Sequence, residues 1–515
     1  MTPSVMPLIL SNAQRSSLDN VPRMPWHDFT YWLLGQVESE ARISAFFGVP
    51  EEKLPNGIAN ESAAPGSVRL FAVLARTNEP SLVVASTSVF ASYPSLTPFI
   101  PALHLFEREL HEQFNITPLG HPWLKPVRFP HPDGPRAGDT EFFAIDGDEV
   151  HEVAVGPIHA GIIECGHFRF QCMGETVLHL EISLGYHHRS VARALTGRPD
   201  ARTFPLMETI AGDTSIAHTW AACSILEALA GCAVSPRGQM LRAVALELER
   251  LANHTGDIGA LAGDIGFLPT SSYCGRIRGD FLNMTAELCG NRFGRGLVRP
   301  GGTAFDADAA LAKNVAERIH TAYNDVRGAA DLLWHSTSVT ARMLGIGEVT
   351  KQTALALGMV GMAARASGVR ADARITHPLP HLNSHDVHIR LKKPGDVMAR
   401  TMIRMREIKE SAAFASKVLR HLPEGKCVAT PFATTAPRDV PLAPLSISTA
   451  LVEGWRGEVC HVGLTDEKGV LFHYAVIDPS FHNWTGLAMA LRGQQISDFP
   501  LCNKSFNLSY CGHDL

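Results

Sequence analysis

A proline- and glycine-rich break at residues 126–139 divides this chain into two unlike parts and sets the first limit on its fold. Pro126, Pro130, Gly134 and Pro135 interleave there with Arg128, His131 and Asp133, a mixture that neither extends a helix nor fills a central strand. Upstream, residues 68–75 and 81–88 are short β-rich runs, and residues 102–113 have helical spacing with Glu107, Arg108 and Glu109 exposed. Downstream, residues 164–171 and 176–184 alternate like paired strands around Gly174. Long helical stretches follow at 215–229, 238–252, 275–288, 306–334, 350–366 and 397–421. The second of these gathers Leu241, Val244, Ala245, Leu248 and Leu251 on one face, as the core of a helix bundle requires. Residues 457–478 return to strand with a turn at 466–469, before a segment punctuated by Gly and Pro. The expected class is α+β: a small α+β domain at 1–125, a linker at 126–150, and a mainly α-helical bundle with flanking β-strands at 151–515.

Composition narrows the function. With 515 residues and 45% of them hydrophobic, the chain has ample material for a large core. Its 46 Lys and Arg against 51 Asp and Glu give a net charge of -5, so no nucleic-acid partner is expected. Ten scattered cysteines read as reduced, buried or metal-related thiols rather than disulfides, which favours the cytosol, and the lack of any C-x-x-C argues against an iron–sulfur cluster on this chain. Residues 1–11 lack the Lys or Arg of a secretory signal. The apolar stretch 214–236 is interrupted by His218 and Glu227, and 353–364 is too short to cross about 30 Å of hydrocarbon. Membrane contact therefore has to come through partners. No phosphate loop or dinucleotide fingerprint is present, and Gly358-x-x-Gly361 reads as close helix packing.

Among the 24 histidines, His187 and His188 are adjacent. On a strand adjacent side chains point apart, which disfavours a shared metal centre. The carboxylates Glu164, Glu175, Glu181, Glu208, Asp213, Asp257, Asp264 and Asp478 lie in weakly charged stretches, where a buried acid must be paired or have a raised pKa. Arg169, Arg189, Arg242, Arg276, Arg299 and Arg374 are candidate partners. Structural ion pairs and a proton path are both open on this pattern.

Several ordered motifs carry a resemblance. Phe106-Glu107-Arg108-Glu109, Phe114-Asn115-Ile116 and Gly120-His121-Pro122-Trp123-Leu124-Lys125 resemble the signature of the 30 kDa subunit of respiratory complex I, with Asn115 in place of its usual Gly. From Gly156-Pro157-Ile158-His159 onward the chain resembles the 49 kDa subunit and the large subunits of group 4 [NiFe] hydrogenases. The carrying stretches are Glu164-Cys165-Gly166-His167, Leu184-Gly185-Tyr186-His187-His188-Arg189, Glu247-Leu248-Glu249-Arg250 through His254, and Arg299-Pro300-Gly301-Gly302. Fusion of the two parts in one chain is similar to the formate hydrogenlyase large subunits.

The resemblance implies nickel and iron held by four thiolates, but the matching positions are Ala211, Thr214, Ser480 and Asn483. Hydroxyls and a neutral amide do not suit soft nickel or low-spin iron, so a [NiFe] centre is not expected. For quinone, the resemblance points to the loop of His159, whose second histidine is here Ile163; His167 follows four residues later as a candidate substitute. Glu164 matches the acid that passes protons beside the hydrogenase metal, and Asp213 adds a second acid. The expectation is a peripheral-arm subunit on the cytoplasmic face of the membrane, in a formate hydrogenlyase- or NADH:quinone oxidoreductase-like complex. It would sit on an iron–sulfur small subunit beside antiporter-like and anchor subunits in the membrane. His159, Glu164, Asp213 and Asp478 would line a proton or quinone cavity. The alternatives are a hydrogenase or quinone reductase with unusual ligands, and a non-catalytic structural subunit.

Overall fold

The computed structural model describes residues 6–59, 64–131, 133–160, 163–380 and 387–515. Its first part holds β1 (Leu8–Leu10), β2 (Arg15–Ser17), α1 (Trp26–Glu38), β3 (Arg42–Pro50), β4 (Val68–Ala75) and β5 (Leu82–Val89). An antiparallel sheet of order β1-β5-β4-β3 forms, while β2 leaves it. A short parallel pair, β6 (Ser92–Pro94) and β7 (Thr117–Leu119), brackets α2 (His104–Phe114). That helix ends at Asn115 in the left-handed region, φ 54°. Asn tolerates this conformation better than most residues, which accounts for its standing in for the usual Gly. Glu107 is no surface residue: its carboxylate accepts from Ser95 Oγ (2.6 Å), Leu96 N (2.9 Å) and Thr97 N (3.0 Å) inside the core.

After the break come the antiparallel β8 (Val150–Val155), β9 (His167–Met173) and β10 (Thr176–Ser183), then the short helices α3 (Val191–Ala194) and α4 (Thr203–Met207). The bundle is α5 (Ser215–Ala230), α6 (Pro236–Asp264) and α7 (Leu268–Cys289), then the small hairpin β11 (Val298–Arg299) and β12 (Gly302–Thr303), then α8 (Ala309–His335) and α9 (Thr337–Met343). It is completed by α10 (Lys351–Ala356), α11 (Gly361–Ala366), α12 (Ala373–Thr376) and α13 (Val397–Arg420). Helix α6 runs well past the expected end at 252, because its glycines are a contact surface and not breakers. A Cβ on Gly259 would stand 2.7 Å from Cys274 Cβ of α7. Ser235 caps α6 by accepting from Gly238 N, with Pro236 in the first turn.

The helix expected over 350–366 is two helices. Gly358 and Gly361 both take positive φ, and a Cβ on Gly361 would lie 2.0 Å from Arg456 O. The close packing expected of this glycine pair is there, but it joins α11 to a turn at residues 454–457 and breaks the helix in doing so.

Strands β13 (Ser446–Glu453), β14 (Glu458–Thr465) and β15 (Leu471–Ile477) follow, in a sheet of order β15-β14-β13-β2. Its edge is the N-terminal β2, with Ser17 opposite Ser446. One apolar core accordingly runs from Phe29, Phe46 and Phe71 to Leu451 and Val462, across both sheets. The last segment, punctuated by Gly and Pro, is helical: α14 (Pro479–Ala490), α15 (Phe499–Phe506) and α16 (Tyr510–Asp514).

Candidate functional site

Two helix starts meet where the sequence placed the vacated ligand positions. Ala211 and Thr214 precede α5, and Ser480 and Asn483 open α14. Asp478 caps α14 through Ser480 N (2.7 Å), and its other oxygen accepts from His218 Nε2 in α5 (2.9 Å). Between them lies Arg456, from the turn that Gly361 abuts. Its guanidinium grips Asp213 at 2.5 and 2.9 Å, donates to Thr214 Oγ1 (3.1 Å) and to Asn507 O (2.5 Å), and stacks over the Trp455 ring at 3.9 Å.

The four positions can be tested as a metal site on this geometry. Ala211 is a fully buried methyl. The Thr214 hydroxyl accepts from Arg456, and Ser480 Oγ accepts from Ser509 N (2.9 Å). The Asn483 amide is spent on both backbone groups of Val360, at 3.0 and 3.1 Å. Cys511 is nearby, but burial and the facing Glu164 push its thiol up to about 12, far from a thiolate. These residues do not fit a nickel–iron centre. Among the described residues no group of three or more His, Cys, Asp or Glu is placed to hold a metal ion.

The acids expected around one cavity are instead arranged around residues 507–512, which fill the space between them. Glu164, exposed, accepts from Tyr510 N (3.2 Å) and Cys511 N (3.1 Å) at the start of α16. Gly512 packs on the Asp478 carboxyl so tightly that a Cβ would come within 2.7 Å. Asp213 reaches the same segment through Arg456 and Asn507. His159 stands at the rim, its Nε2 on Gly166 O (2.9 Å) and its ring 6.5 Å from that of Tyr510. His167 turns elsewhere, against Phe142 of the linker at 4.8 Å. Residues 161–162 of the loop between His159 and His167 lie outside the described residues.

Electrostatics separates the acids. Burial alone would raise Asp213, but the Arg456 guanidinium outweighs it and holds the carboxyl below its ordinary range. Asp478 is likewise held down against burial, by the hydrogen bond from His218. Glu249 is the opposite case. Burial, and then the nearby Asp213, push it up to about 8 against the bond from Ile216 N (2.8 Å). Its Oε1 is buried with no protein partner among the described residues. It borders a void of about 10 Å³ shared with Asp213 and Asn253, room for about one water.

Sequence reasoning missed the groups behind Asp478. His218 Nδ1 faces His461 Nε2 at 3.0 Å, and His461 Nδ1 faces Tyr474 Oη at 2.9 Å. With ionised Asp478 as pure acceptor, the donors align in one direction: Tyr474 to His461, His461 to His218, His218 to Asp478. Burial, then His218, hold His461 well below the usual imidazole value, and burial raises Tyr474. His218 carried a signal, as the polar interruption of an apolar run. Strand β14 is buried along its whole length, so no alternation marked His461. Of the arginine partners suggested by the sequence, Arg299 does pair with Glu208 (2.7 Å). Arg242 pairs with Glu227 (2.5 Å), and Asp213 and Asp257 take Arg456 and Arg404.

Comparison with known proteins agrees with this layout. Residues 264–442 match the family of the respiratory-chain NADH dehydrogenase 49 kDa subunit, and residues 50–134 that of its 30 kDa subunit. Formate hydrogenlyase subunit 5 of Escherichia coli (strain K12) is 28% identical over 444 residues, covering 81% of this chain and 76% of the relative. The carbon monoxide-induced hydrogenase of Rhodospirillum rubrum is 28% identical over 360 residues, covering 69% and 97%. NADH-quinone oxidoreductase subunit 4 of Thermus thermophilus is 27% identical over 371 residues, covering 68% and 90%. Among solved structures, a chain of the membrane-bound sulfane sulfur reductase, an archaeal respiratory membrane complex, shares the fold with a TM-score of 0.65 at 22% identity, over 72% of this chain and 100% of that one. The sheet-and-helix unit before the break, the bundle after it and these matches show 30 kDa- and 49 kDa-subunit-like domains of complex I fused in this one chain.

Proposed function

We propose that this chain is an oxidoreductase-complex subunit that couples electron transfer in partner iron–sulfur clusters to a membrane ion-translocating module, without a [NiFe] centre of its own. The observation that carries the reading is Arg456: its guanidinium is bound to Asp213 and Thr214, beside one of the pairs of positions that the resemblance matches to metal thiolates. Its charge also faces Asp478 and Asp257. Protonation of Asp213 would free Arg456 to lean toward Asp478, so a change of charge at the seam becomes a movement of the 454–457 turn and of the segment 507–512 bonded to it. Glu249, which holds a proton near neutral pH, is the donor closest to Asp213 in this scheme. No helix among the described residues is long and apolar enough to cross a membrane. In this reading the chain attaches to the cytoplasmic face of the membrane through an iron–sulfur small subunit and antiporter-like and anchor subunits.

The test is metal analysis by mass spectrometry of the complex purified through this subunit, with hydrogen uptake assayed alongside. Iron without nickel is the expected result; stoichiometric nickel with hydrogen uptake would sink the proposal. In assembled complexes, Glu164→Gln, Asp213→Asn and His159→Ala should abolish turnover without loss of subunits. Full activity in all three would leave a structural subunit. Binding of a quinone-site inhibitor that blocks the parent complex, lost in His159→Ala, would move the chemistry to quinone reduction at this chain.

A further inference from the structure

Away from the seam, a cavity of about 220 Å³ opens where the two parts of the chain meet. Its walls come from α2, from residues 123–127 and 140 of the linker region, from β10 and from α14. Arg108 of α2 stands in it without a counter-ion. Its Nε and Nη2 donate to the backbone carbonyls of Lys125 (2.7 Å) and Pro126 (2.9 Å), and no carboxylate among the described residues lies within ion-pair distance. Burial lowers the guanidinium to about 10, although Glu181 and Glu112 pull the other way at longer range. Lys125 is committed to Glu181 (2.7 Å) and stands over the Trp123 ring at 4.8 Å. Arg492 closes the rim, and its neighbour is His179 Nδ1 at 3.3 Å. That neighbour adds no counter-charge: burial, then Arg492, hold His179 below the usual imidazole value. His104, kept neutral by burial and by Arg108, spends its Nε2 on Thr485 Oγ1 (2.9 Å). Three cations thus face one carboxylate.

Trp123, Leu184, Trp484, Ala488 and Met489 supply the apolar part of the lining. A desolvated guanidinium held only by neutral carbonyls favours a charged, bidentate acceptor, and aromatic walls favour a flat apolar body. We propose that this junction cavity binds a small organic carboxylate bearing an aromatic ring or a short branched chain, its carboxylate on Arg108 and Arg492 and its apolar part between Trp123 and Trp484. Occupancy ties α2 and the linker to α14, the helix whose first turns carry Ser480 and Asn483. The ligand therefore regulates the seam from a distance and takes no part in its chemistry.

Calorimetric titration of the full chain with 1-naphthoate, benzoate, 1-naphthalenemethanol and inorganic phosphate tests this, with quenching of tryptophan fluorescence as a second readout. Saturable one-to-one binding of naphthoate is expected, with no binding of the alcohol. Arg108→Gln should weaken it by about tenfold or more, the loss of a charge-assisted hydrogen-bond pair. Because Arg108 also braces the linker, Ala488→Leu is the companion variant: it keeps every charge, fills the space and should abolish binding while the near-ultraviolet circular dichroism stays native. No saturable carboxylate binding, phosphate binding as tight as naphthoate, or naphthoate binding unchanged in Ala488→Leu would each overturn the proposal.

Discussion

Two buried charged regions of this protein are built on different rules. In the bundle, Glu247 is bonded by Arg250 (3.0 Å) and Arg374 (3.2 Å), Asp372 by Arg374 (2.7 Å), and Glu407 and Glu453 by Arg365 (2.8 and 2.6 Å). Every carboxylate there has a guanidinium in hydrogen-bond reach, and the group pins α6, α11, α12, α13 and β13 together. At the seam Asp213 alone has one. Asp478 leans on an imidazole, and Glu249 on backbone N–H groups. In the bundle network the guanidinium partners hold Glu247, Asp372 and Glu407 low against burial, while burial leaves Glu453 raised beside Arg365, and the interlocked pairs serve as a brace. At the seam Asp213 and Asp478 are held low while burial pushes Glu249 up to about 8, so a proton taken up or released there near neutral pH falls on Glu249. Burial of charge is common to both regions, and the second pairs it less completely.

The comparison can be broken by removing one member from each region. The largest effect is expected from Arg365→Ala, which strands Glu407 and Glu453 and should cost about 3–5 kcal/mol in denaturant unfolding. Arg456→Gln should cost less, about 1–3 kcal/mol, because Asp213 is 32% exposed and water can replace part of the lost cation. A larger loss from Arg456→Gln than from Arg365→Ala would reverse the assignment of brace and seam. Tyr474→Phe removes one hydrogen bond from a buried chain and should cost about 1 kcal/mol; it sharpens the contrast by showing how little the chain contributes to stability. The smallest effect below about pH 4.5 belongs to Glu249→Gln, where both side chains are neutral, and it is read by its pH dependence. The folded value of about 8 lies above the ordinary 4.5, so folding favours the protonated acid. That contribution is complete below about 4.5, declines as pH rises and is gone above about 8. The melting temperature of Glu249→Gln relative to the parent should therefore climb across this window and level off above it; a flat difference would show that Glu249 is ionised throughout.

Much of the fold is legible because periodicity is a local property. Residues 68–75 form β4 with the expected bounds, and α5, α8 and α13 fall within a few residues of theirs. The hairpin turn at 466–469 is where Asp466 caps the backbone of Lys468 and Val470. The errors share a cause in tertiary contact. Gly259 looks like a breaker until Cys274 is seen against it, and Gly361 continues a helical pattern until the Arg456 carbonyl stops it. At the site, the motifs located Asp213, Thr214, Asp478 and Ser480. They could not locate Arg456, which sits in a turn between strands, nor Tyr474, which meets His461 only through the register of β14 on β15. That residues 507–512 fill the space between the acids was invisible for the same reason, since a short helix near the end of the chain carries no label of what it packs against.

The pairing of β2 with β13 gives this protein a long wait during synthesis. Ser17 and Leu445, which meet at the sheet edge, are 428 residues apart. The sheet of β13, β14 and β15 cannot cover its β13 edge with a strand emerging beside it on the ribosome and must recruit one made at the outset. Until then β2 is an unpaired strand open to wrong partners. A chain cut at the proline-rich break would leave each half with an exposed edge, so the two parts are fused in sequence and are also stitched together in space.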